Sequence, residues 1–328
     1  MTKRHLLIST LVLLAALGCV NSLVKRSART VPHGIFDEIN RTQAPDYLML
    51  GNSLVAAGVD EIAFRAGLPA HAGTGPILNT GCGGTLPSET IQFYLAARRK
   101  FPRLPCVIMG FMFTQLTAPP EAAWHELAGN RALFYYSDFE LGLSFYRPGS
   151  WLEKTQFQLT RHLPVVYERQ SIWRRVELVR RNFEQWGMPR EETTRFGRVV
   201  DFESDPYQPK SPSALADECR TAVAEHRILS PPVLQIIRQA KAAGSKIFLV
   251  QMPLPLARRN HFAVDDAWEK YQNYIRDRVE SEGTVFVNAL EWFSDDGHFF
   301  MDSLHLSKAG AEAFSKRLAP IVAVKTSE

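Results

Sequence analysis

From about Asp46 onward, apolar and polar positions repeat in a regular order. Short unbroken apolar runs alternate with longer stretches in which apolar residues return every three or four positions. The first pattern reads as a strand covered on both faces, the second as a helix with one buried stripe. Strands are predicted at 47–50, 77–79, 106–113, 246–252 and 284–288. A helix is predicted over 59–66, with Ile62 and Phe64 as its buried residues. A second starts at a Ser88 cap and runs through Lys100, with Ile91, Tyr94 and Leu95 on one stripe. The others cover 232–243, opening on proline and ending before Gly244, 265–282, closed by Gly283, and 307 to about 322, capped by Ser307. Parallel neighbours need a crossover, so strand followed by helix, repeated, predicts an α/β fold with a parallel sheet of about five strands.

The alternation lapses over about 114–229, a stretch too long for a plain connection. It holds arginine-rich helical patterns, such as the run from Ser171 to Arg181, and a polar, proline-containing stretch at 191–212. A mostly helical insertion is expected, lying over the active edge as a lid or substrate platform. Its arginines would attract anionic polysaccharide or lipid headgroups. Equally, they form a solvated face with Glu168, Glu177 and Glu184 as partners.

The first residues follow a different pattern. Lys3, Arg4 and His5 precede an apolar stretch over 6–17, interrupted by Ser9 and Thr10. A basic flank followed by an apolar segment is the pattern of an export signal. Ala16-Leu17-Gly18-Cys19 loosely matches a lipoprotein cleavage site, with a bulky Leu17 where small residues are preferred. An uncleaved anchor reaching Val24 would barely span a bilayer, and Lys25, Arg26 and Arg29 oppose outward translocation of that flank. A buried N-terminal helix is the remaining alternative. The expectation is a signal peptide or membrane anchor over 1–28 and one globular domain over 29–328. The protein would then be exported and sit in the periplasm, cell envelope or membrane, touching the membrane through its N-terminal segment.

The candidate chemistry sits at the two ends of the alternation. The first strand stops at Gly51-Asn52-Ser53-Leu54, which puts a serine on a tight turn. Near the end, Asp302-Ser303-Leu304-His305 places a carboxylate three residues before an imidazole, just ahead of a helix. A serine hydroxyl needs a base to become a nucleophile, histidine serves as that base, and a carboxylate fixes its tautomer. If the fold joins the two ends, Ser53, His305 and Asp302 form a triad. Each half alone has a plainer reading, as a turn and as a helix cap with a surface histidine. Asp295 and His298 share the same spacing and compete for the role of acid and base. The glycine-rich Gly81-Cys82-Gly83-Gly84 loop also follows a strand, so all three features fall on the carboxyl edge, where such sheets carry their sites.

Composition adds exclusions. A net charge of +4 indicates no particular partner, and no nucleic-acid module is present. Four cysteines, Cys19, Cys82, Cys106 and Cys219, are too scattered for a disulfide framework or a zinc site. A Cys82–Cys106 disulfide is open only for an exported protein. No cofactor and no metal are expected.

These residues resemble the SGNH/GDSL hydrolase superfamily. Gly51-Asn52-Ser53-Leu54 looks like its Gly-Asp-Ser-Leu block, with asparagine for aspartate, and Asp302-x-x-His305 looks like its last block. Asn79-Thr80-Gly81-Cys82-Gly83-Gly84 looks like its second block, in which a glycine N–H serves the oxyanion hole. The resemblance implies a flavodoxin-like three-layer α/β/α fold, with Ser53, Asp302 and His305 catalytic. It also implies an oxyanion hole of the Ser53 and Gly84 N–H groups, with Gly83 as fallback. The family's third block, Gly-x-Asn-Asp, is replaced by Gly110-Phe111-Met112-Phe113. Methionine cannot donate a hydrogen bond, so Asn52, Thr114 or Gln115 is left as an extra donor. A similar gap occurs in branches of the superfamily associated with cell-surface polysaccharides. The resemblance therefore implies a serine esterase for acylated carbohydrate or a small ester, with a polysaccharide O-acyltransferase on the same triad as the alternative. A non-catalytic surface carbohydrate-binding protein is the second reading, and a phosphate-binding domain at Gly81–Gly84 the third.

Overall fold

The computed structural model describes residues 3–27, 31–70, 72, 74–117, 150–152, 155, 212–260, 265–294 and 296–327. Five parallel strands form one sheet: β1 (Tyr47–Leu50), β2 (Ile77–Asn79), β3 (Cys106–Phe111), β4 (Lys246–Gln251) and β5 (Val285–Asn288). Their order is β2-β1-β3-β4-β5, that of a flavodoxin-like doubly wound sheet, with the winding direction reversing between β1 and β3. Leu48 pairs with Leu78 on one side and with Val107 on the other, so β1 lies inside the sheet.

The alternation of side chains divides the strands between two cores. Leu48, Leu50, Val107, Met109, Ile247 and Leu249 face one core. There they meet α2 (Val31–Arg41), α5 (Pro87–Lys100), α6 (Pro212–Ala224), α7 (Pro231–Ala242) and α9 (Ala267–Ser281). Tyr47, Met49, Ile108, Phe248 and Val250 face the other, against α3 (Ser53–Gly58), α4 (Glu61–Gly67) and α11 (Lys308–Ser327). Both faces are covered, which is why each strand reads as a nearly unbroken apolar run. Two short helices, α8 (Leu256–Asn260) and α10 (Asp296–Phe299), lie in the connections after β4 and β5.

The five expected strands are all present, and three details differ. β3 stops at Phe111, and Phe113–Thr117 forms a 3-10 turn instead of continuing the strand. The second predicted helix is capped at Leu86, with Pro87 in its first turn, so Ser88 is inside it; Glu89 Oε2 accepts the Leu86 N–H at 3.1 Å. In α4, Phe64 is fully buried but Ile62 is 84% exposed. Residues 62 and 64 are two apart and about 200° around a helix, so a single core face holds only one of them. α2 and α3 were not anticipated; at six residues, α3 is too short to show a helical period.

The insertion expected over 114–229 lies mostly outside the described residues. Its two ends meet in the fold: the Ser230 N–H donates to the Leu116 carbonyl at 2.5 Å, and Thr117 Oγ1 lies 2.7 Å from the buried Tyr271 hydroxyl. α6, which precedes Ser230, already packs in the first core. At the N-terminus, α1 (Lys3–Ser27) contains an exposed apolar stretch, His5–Ser22, long and apolar enough to cross a membrane. Cys82 and Cys106 are buried as separate thiols, and burial pushes the Cys106 thiol pKa far up.

The burial difference within α4 makes a stability test. Phe64→Ala should lower unfolding stability by about 3–5 kcal/mol, whereas Ile62→Ala should stay within about 0.5 kcal/mol. Denaturant midpoints of the full chain in detergent would check both.

Candidate active site

β1 is buried along its whole length and ends at Leu50, and at Gly51 the chain must turn at once to begin α3. Gly51 takes φ +154°, and a Cβ there would collide with Val55 Cγ2 and lie 2.7 Å from the Gly110 carbonyl oxygen. Only glycine fits. Asn52 then caps α3, its Oδ1 accepting the Leu54 N–H at 2.9 Å, and Ser53 becomes the first helical residue. Ser53 is half-buried at the carboxyl edge, beside the point where the winding of the sheet reverses.

The loop after β2 is hydrogen-bonded onto this turn. Thr80 N–H and Thr80 Oγ1 both donate to the Met49 carbonyl, at 2.9 and 2.7 Å, and the Cys82 N–H donates to the Gly51 carbonyl at 3.0 Å. Gly81 packs so closely that a Cβ would collide with the backbone of Ala56. Asn79 Oδ1 holds the Gly81 N–H at 2.9 Å. From Cys82 to Thr85 the chain makes a tight turn, closed by Thr85 N–H to the Cys82 carbonyl at 3.3 Å, with Gly84 at φ +72° in its third position. The place a Gly83 Cβ would occupy is 3.9 Å from Ser53 Cβ, so this turn borders the serine directly. Gly84 follows, exposed.

The third component comes from the segment after β5 and α10. Asp302 Oδ1 accepts the Leu304 N–H at 2.8 Å and the His305 N–H at 2.6 Å, which folds the segment into a compact turn. Asp302 Oδ2 lies 2.7 Å from His305 Nδ1. His305 Nε2 lies 2.9 Å from Ser53 Oγ, joining residues 252 positions apart. His305 is 6% exposed. Burial alone would push the Asp302 carboxyl up, but the bonds from the His305 ring, the His305 and Leu304 N–H groups, and the nearby imidazole hold it below its ordinary value. The pair thus keeps a carboxylate on Nδ1, so that Nδ1 carries the proton and Nε2 presents a lone pair to Ser53.

Every expected residue of the three motifs therefore lies on one edge, and Ser53, His305 and Asp302 are within hydrogen-bonding distance in that order. The rival His298 is exposed, its ring edge-on to Phe299 with centroids 4.7 Å apart, and Asp295 lies outside the described residues. Met112 contributes its backbone, its N–H donating to Gln115 Oε1 at 3.0 Å, and Asn52 Nδ2 reaches the same oxygen at 3.4 Å. Sequence reasoning missed Arg258, whose Nη1 lies 3.4 Å from Ser303 Oγ, inside the Asp302–His305 segment. The available signal was its place in the connection after β4, on the same edge.

No protein-family model matches the chain, and no curated protein matches its sequence. Among solved structures, it is similar to a proposed acylhydrolase from Bacteroides fragilis at 10% identity and a TM-score of 0.39, over 89% of this chain and 95% of that one. A likeness this faint carries nothing about chemistry, and the site stands on its own geometry.

The Asp302 environment sets a pH dependence. Its carboxyl is held low in the folded chain, so its ionised form stabilises the fold above the unfolded value of about 4 and that contribution is lost as pH falls through the lower folded value. The stability gap between wild type and Asp302→Asn should therefore be largest near neutrality and shrink below about pH 4. Denaturant midpoints at a series of pH values would show it; a gap that does not change with pH would contradict it.

Proposed function

We propose that this chain is a serine esterase that removes O-acyl or O-acetyl groups from acylated carbohydrate or a related surface ester. The observation that supports it is the line from Asp302 through His305 to Ser53 Oγ, with separations of 2.7 and 2.9 Å. Nucleophile, base and orienting acid require this order and these distances.

In this reading His305 Nε2 takes the Ser53 proton as Oγ bonds to the ester carbonyl carbon. The carbonyl π pair moves onto oxygen, where the N–H groups of Ser53 and of the Gly83–Gly84 turn receive it. Collapse of the adduct breaks the ester C–O bond, and His305 gives its proton to the departing sugar oxygen. A water, deprotonated by the same imidazole, then attacks the acyl-serine and releases the acid and free Ser53. Asp302 remains ionised throughout and stabilises the imidazolium. No cofactor or metal enters the scheme, and nucleic acid has no part in it.

The membrane reading rests on α1. Its exposed apolar stretch supports an anchor or an export signal over 1–28, with the globular domain over 29–328 held at the cell envelope. The carbohydrate assignment rests on the family resemblance.

Hydrolysis of p-nitrophenyl acetate by the full chain in detergent tests the chemistry. Wild type should turn over, and Ser53→Ala and His305→Ala should each lose at least about a thousandfold in kcat. A burst without turnover would instead favour an acyltransferase waiting for a sugar acceptor. Equal rates in all three proteins would remove the triad from the reaction.

A further inference from the structure

The carboxamides of Asn52 and Gln115 have orientations dictated by backbone donors. The Leu54 N–H can only donate, so the Asn52 atom facing it at 2.9 Å is the oxygen. Asn52 Nδ2 is thereby turned to Gln115 Oε1, 3.4 Å away. The Met112 N–H, again a donor only, meets that same oxygen at 3.0 Å. Reversing the Gln115 amide would set its NH2 group against two donors, so its orientation is determined from both sides. Gln115 Oε1 is used twice, and Nε2 is directed away from both donors. Among the described residues no acceptor is paired with Nε2.

Gln115 also borders the turn that carries Ser53, through its contact with Asn52. It lines a small cavity with Gly51, Asn52 and Thr85, the residues that lead into Ser53 and close the Gly83–Gly84 turn. Its side chain is half-buried, so the amide nitrogen is neither sealed in the core nor far out in solvent. Asn52, by contrast, has its oxygen committed to capping α3 and its nitrogen to Gln115.

We propose that Gln115 is a third oxyanion donor, its Nε2 N–H joining the backbone N–H groups of Ser53 and the Gly83–Gly84 turn. The proposal rests on the esterase reading above. Asn52 and the Met112 N–H act as positioning groups: they hold Gln115 Oε1 and so aim Nε2. The charge that develops on the ester oxygen in the transition state would meet a neutral donor fixed before the reaction starts, which is where such donors are most effective. The departure at Met112, which has no side-chain donor, is compensated three residues later in the 3-10 turn.

Two near-isosteric variants separate donation from mere bracing. Gln115→Glu keeps an oxygen for the Met112 N–H and Asn52 Nδ2 but has no N–H. Gln115→Met is neutral and of similar size and lacks both. Steady-state hydrolysis of p-nitrophenyl acetate by the full chain in detergent is measured for wild type, both variants and Ser53→Ala, alongside thermal midpoints. Both Gln115 variants should lose about 10²–10³-fold in kcat, with KM within about threefold. Loss in Gln115→Met alone would mean bracing, and loss in Gln115→Glu alone a charge effect; either overturns the proposal. Active wild type with both variants within threefold of it overturns the role of Gln115 and leaves the esterase reading standing. Wild type no faster than Ser53→Ala overturns both. If one variant fails to fold, seen as a collapsed thermal midpoint, the other decides: full kcat in it overturns the proposal, and the stated loss with KM kept supports it.

Discussion

The site depends on how β1 ends. This strand is buried on both faces and paired on both edges, so the chain has only one way out, at the carboxyl edge. Gly110 of β3 and Val55 of α3 crowd that exit, which leaves no room for a side chain at position 51. Once the glycine turn forms, Asn52 falls in position to cap α3 and Ser53 is presented at the rim. The loop after β2 then zips onto the same turn through Thr80 and Cys82, bringing Gly83 against the serine. The Ser53 turn and the glycine turn are thus one hydrogen-bonded unit, built at the point where the sheet reverses its winding.

Electrostatics complete what packing begins. Asp302 is mostly buried, a cost that is offset because two backbone N–H groups and the His305 ring all bond to the carboxylate. The same bonds that hold the charge also fix the imidazole. Asp302, its turn and His305 therefore form one hydrogen-bonded piece that docks against Ser53. α11, which follows directly, packs on α4 and the second core and holds that piece in place. The 2.9 Å separation between His305 and Ser53 is the product of that docking.

Much of this was legible in advance. The five strands are recognisable because a doubly covered parallel sheet demands continuous apolar runs, and Tyr47–Leu50 and Ile77–Asn79 fall where the pattern puts them. Ser53, the Gly81–Gly84 loop and Asp302/His305 were each picked out by residue type and by their place after a strand. Boundaries and faces were harder. Ile62 and Phe64 look equally apolar, yet only the direction of α4 relative to α11 determines which is inside. Ser88 resembles a cap, but Pro87 claims the first turn because its missing N–H costs nothing there. Asn52 reads as a turn residue, and nothing in its neighbourhood points to Gln115, 63 positions away.

The sequence by itself determined the order of strands and helices, the parallel character of the sheet and the residue types placed at its edge. These follow from local apolar periodicity and from the backbone freedom of particular residues, both properties of short stretches of chain. Only the tertiary structure decided which of two Asp-x-x-His spacings faces Ser53, since His298 and His305 differ in their surroundings and not in their motif. It also brought two carboxamides together: each is oriented by a backbone donor two or three residues away, at Leu54 and at Met112, but Asn52 reaches Gln115 only when β1 and β3 lie side by side.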